Sequence, residues 1–90
     1  MKKTKSEMPN NKNVNNTDNC QLILYNDDVN SFDFVIETLI SVCDHNPEQA
    51  EQCTLIAHFK GKCQILVGTI SELRPVFDEI SRRGLTVEIQ

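Results

Sequence analysis

Chemistry has few places to reside in this 90-residue chain. Asn26, Asp27 and Asp28 stand together, His45 and His58 are the only histidines, and Cys20, Cys43, Cys53 and Cys63 are the four thiols. Carboxylates, imidazoles and thiolates are all metal ligands. Structural zinc, however, uses tight pairs such as Cys-x-x-Cys, which these cysteines do not form, and calcium needs a longer acidic loop. No metal and no cofactor is expected. A thiol paired with His58 is the nucleophile an enzyme of this composition would use. No basic cluster flanks any cysteine to hold it as a thiolate, so no catalytic residue is assigned and no enzyme activity is expected. Taken alone, Asn26-Asp27-Asp28 is a turn, because Asn and Asp bond readily to nearby amides. Taken alone, His58 near a helix end suits the negative pole of that helix.

The elements that position these groups are legible in outline. A chain of this length makes one domain, and shallow surface pockets are the natural place for its function. Residues 1–19 hold four lysines against two acidic groups and are rich in Asn; residues 20–90 hold five basic and eleven acidic side chains. The first stretch cannot bury enough apolar surface to offset its ordering entropy and is expected to be a disordered arm. The acidic body argues against nucleic acid as a partner, since phosphate binding draws on Lys and Arg, and it favours a cationic ligand. No apolar stretch follows the first lysines, so no secretory leader is expected. No run is long enough to span a membrane, so no membrane association is expected either. The thiols are therefore expected to be reduced and mostly buried.

Cys20–Tyr25 reads as a strand and Asn26-Asp27-Asp28 as the turn that ends it. Asn30 or Ser31 caps a helix over about 32–44, whose buried face is Phe32, Val35, Ile36, Leu39, Ile40 and Cys43. Asn46 caps a second helix with Pro47 at its first position. It runs to about Phe59, stops at Gly61, and places Ala50, Cys53, Thr54, Ala57 and His58 on one face. Cys63–Val67 is a second strand. Thr69 and Glu72 form a capping box for a third helix reaching about Arg83, which either kinks at Pro75 or starts just before it. Leu85, Val87 and Ile89 alternate as a final half-buried strand. The order β-α-α-β-α-β implies an α+β layer, a small antiparallel sheet of three strands with three helices on one face.

At this point a family resemblance emerges. Leu24-Tyr25-Asn26-Asp27-Asp28, then Phe32-Asp33-Phe34-Val35-Ile36-Glu37, then Ala57-His58-Phe59-Lys60-Gly61-Lys62, and finally Leu85–Ile89, resemble in order the strand end, helix start, H-x-x-G-K motif and last strand of the ClpS family. The similarity covers residues 20–90. The resemblance implies a cytoplasmic, monomeric, non-catalytic adaptor of the N-degron pathway. Such an adaptor recognises proteins that begin with Phe, Leu, Tyr or Trp and carry an unblocked α-amino group. It docks on the N-terminal domain of a Clp-family AAA+ unfoldase of the ClpA or ClpC type. Residues 1–19 would then be an arm available to the unfoldase pore.

The resemblance also implies a site. Asn26, Asp27 and His58 would bind the α-ammonium, with Asp28 helping through water or charge. An ammonium has three N–H donors and needs acceptors from several directions. Phe32, Val35, Thr54 and Ala57 would line an apolar pocket for the first side chain, with Asn30 at its rim. The chain departs from the family at Phe32 and Thr54, where Met is usual, at Ala57, where Val is usual, and at Asn30-Ser31, where Thr-Pro is usual. These changes imply a pocket deeper on the second-helix wall and narrower at its mouth. The charged residues with which the family touches the unfoldase are not matched at Ser71, Glu72 and Arg74. The alternative reading is a small interaction module of similar fold, like the C-terminal domain of a ribosomal stalk protein, serving a different protein partner.

Overall fold

The computed structural model of the protein describes residues 20–90; the arm expected over residues 1–19 lies outside them. Strand β1 (Cys20–Tyr25) is central in the sheet. Helices α1 (Phe32–Cys43) and α2 (Pro47–Lys60) follow, then β2 (Lys62–Gly68), α3 (Ile70–Arg82) and β3 (Val87–Ile89). The sheet order is β2-β1-β3 and both pairings are antiparallel, so the fold is α+β with three helices and three strands.

Each boundary has a local cause. Ser31 Oγ accepts from Phe34 N and starts α1, and Asn46 Oδ1 accepts from Gln49 N with Pro47 in the first turn of α2. Gly61, at a φ of 95°, stops α2 in the left-handed region that a residue without Cβ enters freely. Thr69 and Glu72 bond reciprocally as a capping box, so α3 starts at Ile70 and carries Pro75 within it rather than starting beside it. Pro75 has no N–H for the carbonyl one turn back.

One core joins the layers. Leu22 and Leu24 of β1 meet Leu39 of α1, Ala50 and Ala57 of α2, Leu73 and Ile80 of α3, and Leu85 and Val87 near the C-terminus. Two expectations about side chains change. Phe32 was expected in the core and is 39% exposed, because it opens α1 at the edge of the layer; Thr38 takes a buried place instead. Of the four cysteines only Cys43 is fully buried, the others being half-buried at the margins of the sheet and of α2, and all four are free thiols.

The pairing of β1 with β2 carries a bulge. Leu22 faces Leu66 and Ile23 faces Gln64, which leaves Ile65 as the extra residue. His45, 4% exposed in the turn between α1 and α2, bonds the Ile65 carbonyl through Nε2 at 2.8 Å. A carbonyl only accepts, so Nε2 carries the proton. His45 was a possible metal ligand by residue type; the structure makes it a tie between the helical layer and the bulge. Thr38, 1% exposed, has no partner for its Oγ1 among the described residues.

These two buried groups should respond oppositely to substitution. Removing a donor from a buried carbonyl costs about 1–3 kcal/mol, whereas removing an unpaired hydroxyl costs nothing and spares its desolvation. His45→Leu should therefore destabilise by about 1 kcal/mol, loss of the bond to Ile65 being offset in part by removal of the buried unpaired Nδ1, and Thr38→Val should be neutral or stabilise by about 1 kcal/mol, read from urea unfolding at pH 7.

Candidate functional site

The turn after β1 is fastened at three points. The Asn26 amide donates to the Gly61 carbonyl at 3.0 Å, bringing the end of β1 against the last turn of α2. Asp27 Oδ1 then accepts from the backbone N–H groups of Val29 and Asn30 at 3.0 and 2.9 Å, and from Asn30 Nδ2 at 3.2 Å. Asn30 Nδ2 also reaches Asp27 Oδ2 at 3.2 Å and the Gly84 carbonyl, in the turn after α3, at 3.0 Å. The loop is thus folded around one carboxylate and held to the carbonyl oxygens of two glycines that both sit at positive φ.

Beneath this loop lies a small open hollow. Leu24, Tyr25, Asn26, Asp27 and Asn30 line it from the strand and loop, Phe32 and Val35 from α1, and Thr54, Ala57 and His58 from α2. The structure therefore gathers Asn26, Asp27, Asn30, Phe32, Val35, Thr54, Ala57 and His58 around one cavity. Asp28, exposed on the outer side of the loop, does not line it. Leu24 and Tyr25 are lining residues that sequence reasoning left as strand; their signal was adjacency to Asn26.

The walls and the mouth differ in chemistry. Leu24, Thr54 and Ala57 are buried. The Thr54 hydroxyl donates to the Ala50 carbonyl one turn back at 2.8 Å, so its proton is not offered to a guest. At the mouth, the side-chain amide of Asn26 and the ring nitrogens of His58 have no hydrogen-bond partner among the described residues. His58 instead lies edge-on to Phe32, with ring centroids 5.9 Å apart. Asp27 Oδ1 takes three N–H donors and Oδ2 only one, which leaves Oδ2 as the oxygen able to accept more.

Charge at the mouth is negative. Burial pushes the Asp27 carboxyl up, but the backbone and side-chain N–H groups of Asn30 and the amide of Val29 outweigh it and hold the pKa below the ordinary 3.8. Thr54, Ala57 and His58 belong to the C-terminal part of α2, whose unpaired carbonyls favour a cation. Among the described residues no group of three or more His, Cys, Asp or Glu is gathered as a metal site. Two of the thiols are poor nucleophiles: burial, with the neighbouring Cys53, pushes Cys43 up to about 11 and Cys63 up to about 12.

Comparisons with known proteins bear on family and fold. The family model described as "ATP-dependent Clp protease adaptor protein ClpS" matches residues 15–88. Among solved structures, the chain is similar in fold to Agrobacterium tumefaciens ClpS2 bound to L-phenylalaninamide. The TM-score is 0.65 and the identity 20%, over 82% of this chain and 99% of that one. Among curated proteins no match is found.

Asp27 has a pH-dependent duty that can be read directly. Its pKa is lowered in the folded state, so its stabilisation of the loop is complete above the unfolded value and is lost as pH falls through the folded one. Hydrogen-exchange protection of the Val29 and Asn30 amides should hold from pH 7 down to about 4 and decline below the model-compound range of about 3.9. Asp27→Ala should lower that protection about tenfold or more at neutral pH, the size expected for bonds to a charged acceptor.

Proposed function

The chain belongs to the ClpS family of ATP-dependent Clp protease adaptor proteins, and on that footing we propose that it captures proteins by a free N-terminal Phe, Leu, Tyr or Trp and hands them to a ClpA- or ClpC-type AAA+ unfoldase. The observation that carries this reading is a small hollow with Leu24, Val35 and Ala57 in its walls and Asn26, Asp27 and His58 at its mouth, on a negatively charged loop. A bulky first side chain fills the hollow, and its burial contributes about 1.5–3 kcal/mol. The α-ammonium stays at the mouth. There it meets the Asn26 carbonyl oxygen, Asp27 Oδ2 and a ring nitrogen of His58, three acceptors for three N–H donors. Asp28 adds its charge from outside the loop. With the cost of association subtracted, micromolar affinity is expected.

The ligand of the Agrobacterium protein supports the same chemistry. L-Phenylalaninamide is a phenylalanine with a free α-amine and an amidated carboxyl, as in the first residue of a peptide. Acetylation would remove the positive charge and two of the three donors, leaving the acceptors at the mouth unmatched. This is how such a site would tell a true N-terminus from an internal residue. In this reading the protein is a monomeric cytoplasmic adaptor, needs no cofactor, and makes or breaks no bond itself.

The walls set the preference. Ala57 and Thr54 leave room in depth, and Thr54 presents no free hydroxyl proton, so the deep end is apolar in effect. Phe32 at the mouth favours flat rings over branched side chains. Phe and Trp should therefore bind ahead of Leu. Docking to the unfoldase would use the exposed start of α3. There Glu72 is occupied by the Thr69 amide, so Ser71 and Arg74 are the side chains available.

A fluorescence titration with two peptides, one beginning with free Phe and one with acetyl-Phe, tests the proposal. The first should bind with micromolar Kd and the second at least about tenfold more weakly, and Asp27→Ala should abolish the difference. Equal binding of both peptides, or of neither at high micromolar protein, would refute the reading.

A further inference from the structure

Resting on that reading, we infer that the site extends past its mouth to a second-residue subsite, built on Phe59, that favours an aromatic or large apolar side chain at position two of the bound N-terminus. Phe59 is 76% exposed in the last turn of α2 and does not line the hollow. Its exposure is not that of an isolated surface ring. It stands edge-on to His58 with centroids 4.9 Å apart, and His58 stands edge-on to Phe32. The three rings form one continuous path from the pocket wall to open solvent. Val29, 89% exposed on the loop between Asp28 and the pocket-lining Asn30, adds a further apolar group at the rim.

The occupant follows from geometry. A ligand whose first side chain fills the hollow and whose ammonium lies by His58 must continue outward from the mouth. One residue advances the chain by about 3.8 Å, close to the step from the His58 ring to the Phe59 ring. The second side chain therefore arrives beside an unfilled aromatic face. An apolar or aromatic group there covers Phe59 and shields the His58–ammonium contact from water, whereas Ser leaves both wet. A second-position Asp is worse, since Asp27 lines the mouth and no Lys or Arg does.

The test uses the whole chain and free-amine peptides that begin with Phe and differ only at position two: Phe, Leu, Ser or Asp. Phe and Leu should bind about three- to tenfold more tightly than Ser, the range expected for one added aromatic contact, and Asp should bind most weakly. In Phe59→Ser, affinity for the Phe-Phe peptide should fall to that of Phe-Ser. Circular dichroism should show an unaltered fold, because the ring is on the surface. Equal affinities for Phe, Leu and Ser at position two, or a preference that survives Phe59→Ser, would overturn the subsite while leaving the N-terminus reading intact. If no free-amine peptide binds, both fall together. A Phe59→Ser variant that keeps the preference but fails in delivery would overturn the subsite and assign the ring to the unfoldase.

Discussion

One carboxylate organises the loop on which the site depends. Oδ1 of Asp27 collects three N–H donors from Val29 and Asn30, and this turns the chain back toward α1 within four residues. Without it, Asn30 would have no reason to stay under the loop, and the bond from Asn30 Nδ2 to the Gly84 carbonyl would be lost. That bond and the Asn26–Gly61 bond are the two cables that hold the loop over the hollow. Both end on carbonyls of glycines at positive φ, so the turns after α2 and α3 shape the hollow even though neither glycine lines it. The same carboxylate keeps one oxygen lightly used. A single side chain can thus shape the mouth and charge it, and the two roles share one pKa.

Electrostatics around the loop are consistent with that arrangement. The described part of the chain carries eleven acidic against five basic side chains. Two of the five, Arg82 and Arg83, are engaged with Glu79, and Arg83 also reaches Ser41 on α1. The other three are Lys60, Lys62 and Arg74, none of which lines the hollow. The C-terminal turn of α2 adds its carbonyl dipoles from the other side. Two of the thiols, which by residue type were the rival chemistry, are disarmed by position: burial and the neighbouring Cys53 push Cys43 and Cys63 further above neutral pH. The clustering of Cys43, Cys53 and Cys63 reflects where α1, α2 and β2 meet.

The fold was legible because its signals are local. Caps at Ser31, Asn46 and Thr69, the stop at Gly61 and the alternation of Leu85, Val87 and Ile89 each involve residues within a few positions. Membership of the pocket was legible for a different reason, because ordered motifs fell at a recognisable spacing. What stayed hidden depends on contacts across the chain. The bulge at Ile65 and its bond to His45 join residues 20 positions apart, and no pattern around His45 announces it. The Asn30–Gly84 bond spans 54 positions. Phe32 looked like core because helical periodicity cannot tell the first turn of a helix, which protrudes past the sheet, from the middle. Phe59 was passed over for the opposite reason: it falls off the apolar face and reads as an ordinary surface residue. Its interest arises only once its ring is seen against His58.

Phe32 and Phe59 lead to a broader point about how a small domain achieves selectivity. A chain of about this size buries too little to enclose a ligand fully, so an enclosed pocket can read only one side chain. Further discrimination has to come from the rim. Here the hollow ends in Leu24, Thr54 and Ala57, which contribute size and apolarity and little else. The loop contributes charge and hydrogen bonding through Asn26 and Asp27. His58 stands between them, in contact with Phe32 of the pocket wall on one side and Phe59 of the open surface on the other. An imidazole held edge-on by two rings keeps its nitrogens in a narrow range of directions without spending a hydrogen bond on its own orientation. That leaves both nitrogens free for a ligand. In the proposed complex the hydration of those nitrogens would depend on whatever lies over Phe59, so affinity at the first residue and chemistry at the second would be linked through one side chain.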